Sequence, residues 1–178
     1  MPRPASVPWS RSYWPALLCA SLMPSLSFAA DWQSANVQYL HGNDFEFGDK
    51  SRDIITLEYA NGWAYGDNFF FADVIKSAHN DEVYGEFSPR LSFTKMAGGK
   101  GWDGPVKDVL LAGQVNFGED FRAHLYGFGV DLNVPGFAFF QVNMYVRDDE
   151  NLDGKTWQIS PVWLYPFNIG STKWSMPM

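Results

Sequence analysis

Cysteine is nearly absent: Cys19 is the only one in 178 residues, and it lies in an N-terminal apolar segment. The rest of the chain therefore has no disulfide framework. Long apolar runs are missing too, since nothing beyond residue 30 approaches the roughly 20 apolar residues that a membrane-crossing helix needs. Basic charge is scarce. Beyond that segment, 11 Lys and Arg stand against 20 Asp and Glu, a formal charge of −9. This excludes the basic surface that nucleic acid binding requires. His41, His79 and His124 are scattered, without metal-site spacing, so no metal or other cofactor is expected. No serine sits in a nucleophile-elbow pattern, and Gly98-Gly99-Lys100-Gly101 lacks the Ser/Thr and upstream glycine of a phosphate loop. An enzyme is not expected.

The first thirty residues read as a secretory leader. Arg3 and Arg11 are the only charges before Asp31, Ala16 to Phe28 is an apolar core of leader length, and Ser27-Phe28-Ala29 suits cleavage after Ala29 or Ala30. A membrane anchor fits less well, because the run is shorter than about 18 residues and Pro24 interrupts it. Lipoprotein processing fits poorly, because bulky Leu18 directly precedes Cys19. Residues 31–178 are then read as one domain without internal repeats.

What the sequence does have is aromatic residues and alternation. Aromatics make up 17% of the chain, yet the mean hydropathy is −0.22. A sheet resolves this, because only every second residue of a strand must be apolar. In Glu82–Lys95, Val83, Gly85, Phe87, Leu91 and Phe93 alternate with Tyr84, Glu86, Ser88, Arg90 and Ser92. Similar segments, each about ten residues long, recur from Trp32 to Pro166, the pattern of an antiparallel transmembrane β-barrel with apolar residues toward lipid and polar ones toward a wet interior. Eight strands are predicted. Pro89 should mark a bulge or a locally broken ladder bond, a bulge is expected where the phase changes near Gly127 and Gly129, and the second strand is expected to turn at Gly66-Asp67-Asn68. The last eleven residues are not assigned a strand.

Several segments together resemble the Tsx family of outer-membrane nucleoside channels, including its OmpK-type members. They are Leu57-Glu58-Tyr59, Phe71-Ala72-Asp73, Gly85-Glu86-Phe87-Ser88-Pro89-Arg90-Leu91-Ser92, Gly129-Val130-Asp131-Leu132 and Val142-Asn143-Met144-Tyr145, in order between Trp32 and about Phe167. The resemblance implies a twelve-stranded barrel in the outer membrane of a Gram-negative bacterium, with a narrow lumen admitting nucleosides. On that pattern the C-terminal strands are missing here. Its partners would be outer-membrane lipid and nucleosides as solute, with a monomer as the expected state.

The alternation places Glu58, Phe71, Asp73, Tyr84, Glu86, Arg90, His124, Asp131, Asn143 and Arg147 on the inward set. Phe71 and Tyr84 suit stacking on a flat base, worth about 1–3 kcal/mol per base. Glu58, Asp73, Glu86 and Asp131 suit accepting from ribose hydroxyls. The plainer reading is that Glu86 and Arg90 pair across the lumen and hold its shape. Trp63, Tyr65, Trp157 and Trp163 are expected in interfacial belts or facing lipid. Two other readings stand beside the channel: a non-conducting surface barrel acting as anchor or receptor, and a soluble lipocalin-like binding barrel with the apolar set inside.

Overall fold

Alternating segments gain most by extending, because a strand sends its apolar residues to one face and its polar residues to the other. The computed structural model describes residues 30–46 and 48–177. Along these run β1 (Trp32–Gly42), β2 (Arg52–Trp63), β3 (Gly66–Ser77), β4 (Asp81–Ser92), a single-turn helix α1 (Phe93–Met96), β5 (Val106–Gly118), β6 (Arg122–Leu132), β7 (Phe139–Asp149), β8 (Lys155–Ile169) and β9 (Thr172–Pro177). They form one nine-stranded sheet in which each strand pairs with its sequence neighbours. Every pairing is antiparallel. No helix among the described residues is long and apolar enough to cross a membrane. The expected leader, Ala30 aside, lies outside the described residues.

The sheet departs from the expected pattern in three places. It has nine strands rather than eight, because Thr172–Pro177 folds back on the end of β8, pairing Phe167 with Trp174 and Tyr165 with Met176. The β2–β3 turn comes earlier than expected, after Trp63, so Asp67 and Asn68 lie inside β3 opposite Arg90 and Pro89. No bulge interrupts β6 at Gly127 or Gly129, where the register runs unbroken into β5 and β7; the only shift lies between Val106 and Asp108. Of the two effects expected at Pro89, the broken ladder bond is found and the bulge is not. Ser88 and Pro89 drop out of the β4–β5 ladder while the register on either side is kept, as a residue without an N–H requires.

β1 and β9 are the ends of this order and point the same way, so joining them directly would make a parallel seam. An all-antiparallel closure would take an odd number of strands besides these nine.

The two faces differ as a barrel wall in lipid requires. Val37, Ile55, Leu57, Tyr59, Val83, Phe87, Leu111, Phe128 and Met144 are all exposed on one face. The other face buries Arg90, Asp108, Gln114, Asn116 and Asn143 together with Ala112, Ala123, Leu125 and Tyr145. On a flat single-layer sheet either face would stay open, so exposures of 4% for Arg90 and 1% for Tyr145 show that the sheet curls around its polar face. This arrangement is the inverse of a lipocalin-like interior. Toward one end of β7 and β8 the apolar face carries an aromatic group: Phe140 stacks on Trp163 at 5.6 Å, and Phe137 meets Tyr165 at 5.1 Å. Trp157 and Tyr65 are exposed.

Candidate functional site

The inner face is built around Arg90. The β3–β4 register sets it opposite Asp67, and the β4–β5–β6 register sets it beside Ala112 and Gly127. Those two small residues leave room for a long side chain to lie across the sheet. Arg90 donates to both Asp67 oxygens, through Nε at 2.8 Å and Nη2 at 2.7 Å, and through Nη1 to Asp131 Oδ1 at 2.9 Å. Asn143 Oδ1 lies 3.5 Å from the same Nη1. One guanidinium therefore ties β3, β4, β6 and β7 together. A bidentate fork on one carboxylate and a second carboxylate on the remaining nitrogen is the geometry that makes a buried cation tolerable.

One turn of the ladder away, a second network surrounds Glu86. Tyr84 donates its hydroxyl to Glu86 Oε1 at 2.6 Å, and Gln114 donates to Glu86 Oε2 at 2.8 Å. Gln114 also lies 2.7 Å from Asn116 Oδ1, and Asn116 donates back to the Tyr84 oxygen at 3.1 Å, closing a ring of four residues. Aromatic rings continue this network along the inner face. Phe71 meets Tyr84 at 5.8 Å, Tyr84 stacks on Phe121 at 6.4 Å, and the Arg147 guanidinium lies 5.6 Å from the Phe121 ring. Arg147 is held in turn by Asp149 at 3.0 Å and Gln158 at 3.2 Å.

A third group lies toward β1. Asn36 donates to Glu58 at 2.8 Å, Gln38 reaches the same oxygen at 3.4 Å, and Thr56 donates to Asp73. Glu58 and Phe71 are direct partners, as are Phe71 and Glu86, so carboxylates flank an aromatic ring across three adjacent strands. Such a strip offers hydrogen-bond acceptors on both sides of a flat surface.

The sequence-predicted residues thus fall into place unevenly. Glu58, Phe71, Asp73, Tyr84, Glu86, Arg90 and Asp131 share the polar face, with Asn143 and Arg147. His124 does not. It is exposed on the apolar face, paired in register with Asp148, while its neighbours Ala123 and Leu125 point inward. Nor do Glu86 and Arg90 pair with each other: Arg90 is taken by Asp67 and Asp131, and Glu86 by Tyr84 and Gln114. Sequence reasoning missed Asp67, hidden in a turn-like Gly-Asp-Asn, and the even-numbered Gln114 and Asn116 of β5 as working members of the site. Among the described residues no group of three or more His, Cys, Asp or Glu side chains is arranged to hold a metal ion.

An up-and-down antiparallel sheet, apolar outside and charged along a curled inner face, defines an outer-membrane β-barrel protein. The chain is 25% identical over 179 residues to the outer membrane protein OmpK of Vibrio parahaemolyticus, an alignment covering 85% of this chain and 66% of that protein. The chain is thus distantly similar to an OmpK-type outer-membrane protein, and it spans just under two thirds of that relative's length. No family model matches the chain. No solved structure matches it.

Proposed function

We propose that the chain acts as a passive, substrate-selective channel for nucleosides, through a narrow lumen lined by the polar and aromatic inner face. The observation that carries this reading is the strip in which the Phe71 and Tyr84 rings, tilted at 58° with centroids 5.8 Å apart, lie among Glu58, Asp73 and Glu86. A nucleoside presents a flat base and vicinal ribose hydroxyls. Rings stack on the first, and carboxylates accept from the second. The Arg90–Asp67–Asp131 clamp sets the width of the bore beside the strip and leaves the binding groups a fixed wall to stand on. A solute that touches several weak sites in turn enters and leaves readily, driven by its gradient, with no cofactor. Liposome swelling with adenosine against a sugar of similar size tests the reading: faster swelling with adenosine supports it, and equal rates remove the selectivity.

A non-conducting surface barrel is the second reading, favoured by the tightness of the clamp, with Arg90 only 4% exposed. Recording in planar bilayers separates the two, since this reading requires the absence of any conductance.

A further inference from the structure

The formal charge of −9 on residues 31–178 is spread unevenly along the barrel axis. At the mouth formed by the β1–β2, β3–β4, β5–β6 and β7–β8 connections, the charged strand ends cancel. Asp53, Asp81, Glu82, Asp148 and Asp149 stand there against Arg52, Lys76, Arg122, Arg147 and Lys155. The connections themselves do not cancel: they carry Asp44, Glu46, Asp49, Glu119, Asp120, Glu150 and Asp153 against Lys50 alone. The opposite mouth balances, with Asp31, Asp67, Asp103, Asp108 and Asp131 against Arg90, Lys95, Lys100, Lys107 and Lys173. Between the mouths the remaining charges are Glu58, Asp73 and Glu86, all on the inner face. Their hydrogen bonds come from neutral groups: Asn36 and Gln38 on Glu58, Thr56 on Asp73, Tyr84 and Gln114 on Glu86. None of the three joins an ion pair among the described residues, where Arg90 is taken by Asp67 and Asp131 and Arg147 by Asp149. The whole excess of negative charge thus lies in the loops of one mouth and in the strip inside the bore.

We propose that the bore is selective for cations over anions, and that among nucleosides it favours those carrying a positive charge. Glu58, Asp73 and Glu86 set the preference inside, and the acidic loops gather cations at one entrance. Glu58 and Glu86 flank Phe71 from strands two apart, about 10 Å at the usual strand spacing. A solute crossing the ring therefore passes between carboxylates. Charge of one sign along a low-dielectric wall focuses the field into the channel, and carboxylate-lined pores favour cations for that reason. The faces of Phe71 and Tyr84 act in the same direction, since an aromatic ring attracts a cation lying over it. The preference rests on the channel reading, but it comes from charge and not from the fit of a base or a ribose.

Reversal potentials in planar bilayers under a tenfold potassium chloride gradient test the proposal. Potassium is expected to pass several-fold more readily than chloride, and the preference shrinks in molar salt, where the screening length falls to about 3 Å. Glu58→Gln, Asp73→Asn and Glu86→Gln together remove most of it, whereas Lys76→Gln on the outer face leaves it unchanged. In the same bilayers 5′-amino-5′-deoxyadenosine, a cation, reduces the potassium current at several-fold lower concentration than adenosine does. A cysteine at Ser88, two residues from Glu86 on the same face, decides the matter where no current flows. In a Cys19→Ser background a cationic methanethiosulfonate reagent is expected to modify it several-fold faster than an anionic one, relative to their rates with mercaptoethanol. Equal permeability to the two ions, a preference that survives in the folded triple variant, or a Ser88→Cys thiol indifferent to reagent charge overturns the proposal. Potassium preference with adenosine and a sugar passing alike would instead remove the nucleoside reading and leave the ion selectivity standing.

Discussion

Arg90 on β4 reaches past the whole of β5 to place its Nη1 2.9 Å from Asp131 Oδ1 on β6. Within one sheet, residues two strands apart seldom meet. Here they do because Ala112 and Gly127 occupy the intervening row and because the sheet curls toward this face. The same guanidinium holds Asp67 on its other side, so the removal of one residue strands two carboxylates.

Arg90→Met is therefore expected to destabilise the folded barrel by about 3–5 kcal/mol, the usual cost of breaking one side of a buried ion pair. Urea unfolding in lipid, followed by tryptophan fluorescence, gives the measurement. Adding Asp67→Asn and Asp131→Asn to Arg90→Met should recover much of the loss, since neutral amides do not leave charge unpaired. A triple variant as unstable as Arg90→Met alone would show that the clamp's charges were not the issue.

Gly129 is the second position where the clamp constrains sequence. A Cβ there would come within 2.4 Å of Asn143 Oδ1 and 3.5 Å of Arg90 Nη1, whereas one on Gly113 would meet nothing closer than 3.8 Å. Gly129→Ala should cost about 1–3 kcal/mol, as overpacking commonly does, and Gly113→Ala much less. The same unfolding measurement compares the two.

The inner strip and the outer face should separate in transport assays. Tyr84→Ala is expected to remove about 1–3 kcal/mol of base stacking and to lower adenosine flux while sparing a sugar of similar size. Glu86→Gln should act in the same direction and more weakly, because Tyr84 and Gln114 can still bond to the amide. His124→Ala should change neither rate, since that side chain lies on the opposite face. A loss of selectivity in the His124 variant would contradict the placement.

Loop attachment gives a pH-dependent prediction. Asp49, in the β1–β2 connection, is held below the usual carboxylate range by the Ser77 hydroxyl and then by the backbone N–H of His79, which it accepts at 2.9 Å. A carboxylate with a depressed pKa contributes its full tie above its unfolded pKa of about 3.9 and loses it as pH falls through the lower folded value. The tie between the β1–β2 and β3–β4 loops should thus persist from neutral pH to about pH 4 and release below it. Hydrogen exchange at the His79 amide reports the release, and Asp49→Asn should flatten the profile.

The strands and their faces were legible because lipid imposes a simple rule on the outside: Ile55, Leu57 and Tyr59, or Val83 and Phe87, must all point one way. The interior follows no comparable rule, and there the reading faltered. Ala123, Leu125, Gly127 and Gly129 look like a lipid-facing set with a phase change, yet they point inward; Leu125 packs beside Tyr145, and the two glycines lie where Arg90 and Asn143 cross. Small or apolar residues are needed wherever a long polar neighbour crosses, and that neighbour sits some forty residues away. His124 was misplaced for this reason. Asp67 was lost because Gly-Asp-Asn carries strong turn chemistry, which the β3–β4 ladder overrides. The ninth strand has only six residues and shows its phase, Trp174 and Met176 outward, only once its partner on β8 is known.

The direction in which each strand turns its polar side underlies every part of this account. Spin labels on single cysteines, introduced in a Cys19→Ser background and reconstituted in liposomes, measure it directly: one set at Ser34, Gln38 and Thr56, the other at Val37, Leu57 and Phe87. The account predicts that the first set is accessible to a water-soluble nickel reagent and the second to oxygen dissolved in lipid, alternating residue by residue along β1 and β2. The opposite assignment, or equal accessibility of both sets to the nickel reagent, would contradict it.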